Sequence, residues 1–216
     1  PNGIRNFINQ KIDQQIKIAE SGNSALIRMK MNSLSDKQII AHLYEAASKG
    51  VKIQLIIRGI TCLRNDLPEL HGNIEVHSIV GRFLEHSRIY YFEGNGNEEI
   101  YLSSADMMTR NLNRRVEELY PVEQADTKEK AISILDDMWK DNVKARVLVG
   151  DHYERIDNHG EEPFNSQEFF VQRANVESKQ TKRQEKSKRH ISNVFETLSR
   201  HVPSLHLDSR KGERHE

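Results

Sequence analysis

A single cysteine, Cys62, rules out an internal disulfide framework and suits a reducing compartment. No apolar run approaches the roughly 18 residues of a membrane span, and no charged-then-apolar leader opens the chain. Net charge is also missing, with 32 Lys and Arg against 32 Asp and Glu. No global field therefore draws in nucleic acid or membrane, and an anion site has to come from local clustering. A glycine-rich loop ending in Lys-Ser or Lys-Thr is absent, which excludes a P-loop and leaves phosphate handling to arginine and histidine. His42, His71, His77, His152 and His159 lack the spacing of metal ligands, and Asp136 and Asp137 read as solvated helix residues. The chain opens on Pro1 rather than methionine, which suggests a piece of a longer polypeptide.

What is present suffices for one sizeable domain and an appendage in 216 residues. Ile4, Phe7, Ile8, Ile12, Ile16 and Ala19 share one helical face, closed by Gly22. A strand is expected over 25–31, then a capping box at Ser35-Asp36-Lys37-Gln38 before a helix through Ile39, Leu43 and Ala47 that stops at Gly50. The aliphatic run 51–57 reads as a buried strand, giving a strand–helix–strand parallel crossover. Further strands are expected over 74–80, 83–92 and 99–103, the last two joined by a hairpin-like Gly94-Asn95-Gly96-Asn97, with an edge strand within 116–122. A second capping box at 126–129 opens a helix bearing Ala131, Ile134, Leu135 and Met138. Together these give an α/β fold, a mixed sheet sandwiched by helices. From about Glu177 the charged run SKQTKRQEKSKRH reads as a solvated helix or disordered tail, and 191–198 as weakly amphipathic. No aromatics interleave its charges as nucleic-acid stacking platforms, so no nucleic-acid partner is expected.

The chemistry concentrates in RFLEHSRIYYFEGNGNEEIYLSSADMMTRN, residues 82–111. Strand alternation over 83–92 would put His86 and Arg88 on one face, about 7 Å apart, a spacing that suits one phosphoryl group. The imidazole can act as nucleophile or proton donor near neutrality, and guanidinium can grip phosphate oxygens in a fork. Arg58 ends the run 51–57 and precedes Gly59, the strand end where α/β proteins place ligands. Arg110, Asn111, Arg114 and Arg115 follow the small-residue run 103–105. Either they line a polyanion channel or the arginines are surface charges paired with Glu117 and Glu118. Glu93 is read as a partner of Arg88 or a turn residue.

His86, Arg88, Glu93 and Ser103-Ser104-Ala105-Asp106 resemble the phosphohistidine signature of the phospholipase D superfamily, with arginine for lysine, glutamate for aspartate and Ser-Ser-Ala-Asp for Gly-Ser-x-Asn. With IQLIIRGITCL upstream and DDMWKDNVKAR downstream, the chain is similar over about residues 3–174 to the C-terminal catalytic region of bacterial polyphosphate kinases. That resemblance implies a phospholipase D-like half as residues 1–174 and a charged tail as 175–216. It implies reversible transfer of the terminal phosphate of ATP to inorganic polyphosphate through a phosphohistidine of the preceding domain. His86 would be the catalytic second histidine, and Arg58, His86, Arg88, Arg110, Asn111 and Arg115 would bind ATP and phosphate. The resemblance further implies Mg2+ with ligands mainly upstream, N-terminal, head and first catalytic domains as partners, a homo-oligomer, and a cytoplasmic enzyme that can lie at the periphery of the inner membrane. The alternatives are a phospholipase D-like phosphodiesterase and a non-catalytic polyanion-binding module.

Overall fold

A computed structural model describes residues 3–201. Helix α1, Gly3–Glu20, leads into β1, Ala25–Met31, followed by α2, Lys37–Ser48, and β2, Lys52–Ile57. Strands β3, Ile74–Ile79, β4, Ile89–Gly94, and β5, Asn97–Ser103, precede the short helix α3, Thr109–Arg114. The remainder is β6, Leu119–Pro121, α4, Ala125–Trp139, β7, Ala145–Val149, β8, His152–Arg155, and α5, Ser166–His201. The strands form one mixed sheet of eight, ordered β6-β5-β4-β1-β2-β3-β7-β8. Its centre, β1-β2-β3, is parallel, and every other pairing is antiparallel.

Alternation sorts the sheet into two apolar faces. Ile27, Met29, Ile53, Leu55, Val76, Tyr90 and Phe92 pack with Ile8, Ile12 and Ile16 of α1 and Ile39, Leu43 and Ala47 of α2. Full burial of each such aliphatic side chain stabilises by roughly 1.5–3 kcal/mol. On the opposite face Ile56, Ile79, Ile89, Tyr91 and Ile100 are buried, as are Ala131, Leu135 and Met138 of α4. Arg28 donates to Asp136, and His77 stacks on Trp139 with centroids 3.9 Å apart, which ties α4 to that face. The expected sandwich is therefore what forms.

Two helix starts differ from expectation. Asp36, not Ser35, caps α2, accepting from Ile39 N at 3.2 Å. The N–H groups of Ser35 and Asp36 both donate to Met107 O, which fixes the chain as it enters the helix. The α4 helix begins at Ala125 with Gln124 as its N-cap and no side-chain capping bond, so Asp126 lies inside the first turn. The hairpin β7-β8 lay outside the sequence expectations.

One compact unit ends at Gln167 and a second begins at Glu168. The charged segment is helical through His201, and the expectation for residues 202–216 lies outside the described residues. Among the described residues no helix is long and apolar enough to cross a membrane.

Candidate functional site

The site forms where β1, β2 and β5 end and β4 begins. The chain crosses closely there: Gly59 N donates to Asn32 O at 2.9 Å. A Cβ on Gly59 would lie 2.8 Å from that same oxygen, so the position excludes side chains. This approach aims Arg58, whose Nε donates to Asn32 Oδ1 at 2.7 Å and to Glu85 O at 2.9 Å. Among the described residues its Nη nitrogens make no hydrogen bond and remain able to take an anion.

Asp106 is the hub. Its Oδ1 accepts from Asn32 N at 2.7 Å and Arg88 Nε at 3.2 Å, while Oδ2 accepts from Arg88 Nη2 at 3.2 Å and Asn32 Nδ2 at 3.4 Å. Burial pushes its carboxyl up, but the donors from Arg88 and Asn32 outweigh that and hold it below the usual value. Arg88 turns its remaining nitrogen to the histidine, with Nη1 3.0 Å from His86 O and 3.2 Å from His86 Nδ1. Guanidinium has donors only, so Nδ1 accepts, and neutral His86 carries its proton on Nε2. The exposed imidazole thus offers an N–H rather than a second lone pair.

The residues preceding Ile89 form a loop, not the strand expected from 83, and alternation does not set their directions. His86 and Arg88 are nonetheless together, through the hydrogen bonds just described. Lys30, 1 % exposed, fixes the loop from below, its Nζ 2.9 Å from Ser87 O and 3.8 Å from Glu85 Oε2. Burial, then Arg58 and Arg88, lower its ammonium from the usual 10.5 to about 8, against the raising effect of Glu85 and Asp106.

The family model for polyphosphate kinase C-terminal domain 2 matches residues 1–167. The chain belongs to that family. Polyphosphate kinases of Lactiplantibacillus plantarum and Staphylococcus haemolyticus are 58 % and 50 % identical to it over 175 residues each, 81 % of this chain. The chain spans 24 % of the length of either relative. A crystal structure of polyphosphate kinase from Porphyromonas gingivalis superposes with a TM-score of 0.76 at 36 % identity, covering 81 % of this chain and 27 % of that one.

Within this polyphosphate kinase domain, Asn111 and Arg115 share a second carboxylate, Glu117. Asn111 is buried and donates to Glu117 Oε1 at 3.1 Å, while its own Oδ1 is buried without a partner. Arg115 is exposed, 3.8 Å from Glu117 Oε1. Arg110 is exposed on α3. Ser103 Oγ donates to Glu118 O and Ser104 Oγ to Glu117 Oε2. No hydrogen bond or ion pair among the described residues joins Arg110, Asn111 or Arg115 to the His86 network. Glu93 takes the turn role, accepting from Gly96 N, and Asp106 is the carboxylate that meets Arg88.

Lys30 and Asn32 escaped sequence reasoning, and Asp106, although part of the quoted signature, was given no role there. The available signal was Lys30 itself, a lysine inside the strand ALIRMKM. Among the described residues no group of three His, Cys, Asp or Glu side chains converges as a metal ion's ligands would. A cavity of about 890 Å³ lined by Phe7, Tyr101, Leu119 and Tyr120 includes none of Arg58, His86 and Arg88, so it is separate from the cationic cluster.

Proposed function

We propose that this chain supplies the second-histidine half of a polyphosphate kinase active site, which moves the terminal phosphoryl of ATP onto inorganic polyphosphate. The observation that carries this reading is the Arg88 Nη1 to His86 Nδ1 contact at 3.2 Å. It holds the Nε2 proton outward, ready to meet a phosphate oxygen, and makes His86 a donor rather than the nucleophile. The nucleophile is a histidine in another part of the longer polypeptide. When that nitrogen takes the γ-phosphoryl, the bond to the β,γ-bridging oxygen breaks and negative charge grows on ADP. His86 Nε2–H and the Arg58 guanidinium stabilise that charge and the transferring group. The N–P bond then breaks as a terminal oxygen of polyphosphate forms its P–O bond, and the same groups serve the reverse direction.

Magnesium accompanies the nucleotide, with protein ligands outside this chain. Arg110, Asn111 and Arg115 serve the polyanion from α3 and its C-terminal end. Residues 1–174 act as the second catalytic domain, and 175–216 are an appendage dispensable for transfer.

The test is His86→Ala in the full-length enzyme, with ATP supplied and polyphosphate length followed. Synthesis should fall at least about 100-fold, the scale of a lost general acid, with thermal melting unchanged because the residue is exposed. Near-normal synthesis would refute the assignment.

A further inference from the structure

The loop at 83–88 belongs to no ladder, yet its carbonyls are gripped almost one by one. Phe83 O accepts from Gln167 Nε2 at 2.9 Å, Glu85 O from Arg58 Nε at 2.9 Å and His86 O from Arg88 Nη1 at 3.0 Å. Ser87 O accepts from Lys30 Nζ at 2.9 Å and Arg88 O from Ser103 N at 3.2 Å. Among the side chains in this set, only Gln167 is uncharged. Its carboxamide meets Phe83 at two points, Oε1 accepting from Phe83 N at 3.0 Å while Nε2 donates to Phe83 O, much as a neighbouring strand would. Nε2 also reaches Glu85 Oε1 at 2.9 Å, and Glu85 faces Lys30 through its other oxygen.

This anchor is itself fixed. Gln167 is 3 % exposed, whereas Phe83, Leu84 and His86 above it are exposed. Its neighbour Ser166 gives both N–H and hydroxyl to Asp141 Oδ2 at 2.8 Å, and Asp141 is fully buried. Gly81 closes over the carboxamide, where a Cβ would come within 2.5 Å of Gln167 Oε1. The only way to admit that methyl is to push the carboxamide off Phe83 or to move the loop.

We infer that Gln167 is a positioning residue for His86, holding residues 83–85 so that the imidazole and the Arg58 guanidinium converge on one phosphoryl group. The inference rests on the proposed function. Gln167 touches no substrate; it acts through the backbone of Phe83 and the carboxylate of Glu85.

A double-mutant cycle in the full-length enzyme tests it, with Gln167→Ala, Gly81→Ala, the double variant and His86→Ala measured side by side for polyphosphate synthesis and thermal melting. Gln167→Ala and Gly81→Ala should each lower kcat about tenfold or more, as misplacement of a reacting group does, with KM for ATP within about twofold. The double variant should be no slower than Gln167→Ala alone, because the Gly81 methyl then clashes with nothing. Gln167→Glu, equal in size but without the Nε2 donor, should group with Gln167→Ala. A Gln167→Ala kcat within about twofold of the unsubstituted enzyme, or Gly81→Ala imposing its full loss on top of Gln167→Ala, would overturn the inference. His86→Ala separates the two claims. If it is inactive while Gln167→Ala is unimpaired, positioning alone fails; if it is active, the proposed function fails and takes this inference with it.

Discussion

Strand β4 is entered and left by two short polar segments that the structure holds in opposite ways. At its exit, Asn95 and Gly96 have φ of 52° and 78°, the mirror-image turn that suits the twist of a two-residue hairpin. Two residues set that conformation, and Gly94↔Asn97 starts the register. At its entrance, the His86 loop is set by Lys30, Arg58, Ser103 and Gln167, side chains and backbone drawn from most of the chain's length. A turn encoded locally forms on its own; a loop held from afar forms only once the sheet is complete. The second arrangement places the geometry of His86 under the control of residues distant in the chain.

Substituting the hub should separate the two ends most sharply. Asp106→Asn leaves Arg88 partly buried without its carboxylate, and breaking such a pair costs about 3–5 kcal/mol. Denaturant unfolding of the chain should show that loss while the hairpin stays intact. A variant as stable as the parent would mean the network does not hold the loop.

The next effect is a pH dependence of stability centred on Lys30. Its folded-state ammonium titrates at about 8 and its unfolded-state one near 10.5, so between these values the unfolded chain holds the extra proton. Stability therefore rises with pH across that window, and the native state carries a penalty below it that is on the order of 3 kcal/mol at most. Lys30→Met should flatten this rise, read as the difference between variant and parent in unfolding free energy from pH 7.5 to about 10.5. Parallel curves for the two proteins would show that Lys30 is not the titrating group.

The smallest effect belongs to the self-sufficient end. Gly96→Ala forces a side chain into positive φ and should cost about 1 kcal/mol, with no change in kcat. A change in kcat beyond about twofold would mean that the hairpin and the loop are coupled after all.

The same division explains what could be read from the sequence. The α1 face through Ile8, Ile12 and Ile16, strand β1, and the Asn95-Gly96 turn depend on neighbours within a few residues, and each was legible. Arg58 was legible as the residue that follows β2 and precedes Gly59; its bonds to Asn32 and Glu85 O were not. The strand expected through Phe83–Arg88 was not formed, since alternation of apolar and polar residues says nothing about whether a partner strand reaches that far. Ladder pairing of β1 with β4 ends at Lys30↔Ile89. The β7-β8 hairpin went unread because β7 takes its place by pairing with β3, nearly seventy residues earlier, as in His77↔Val147. Gln167 has no local signature, and Asp106 had a place in one but no partner, for their roles exist only after Phe83 and Arg88 have been brought to them.

The account's central claim, that His86 offers a proton while another histidine carries the phosphoryl group, has a direct test. The full-length enzyme is incubated with γ-labelled ATP, quenched under alkaline conditions that preserve phosphohistidine, and its peptides are mapped. The label should appear on a histidine outside the residues of this chain, with none on the peptide that contains His86. Acid-labile label on His86 would contradict the account and make that residue the nucleophile.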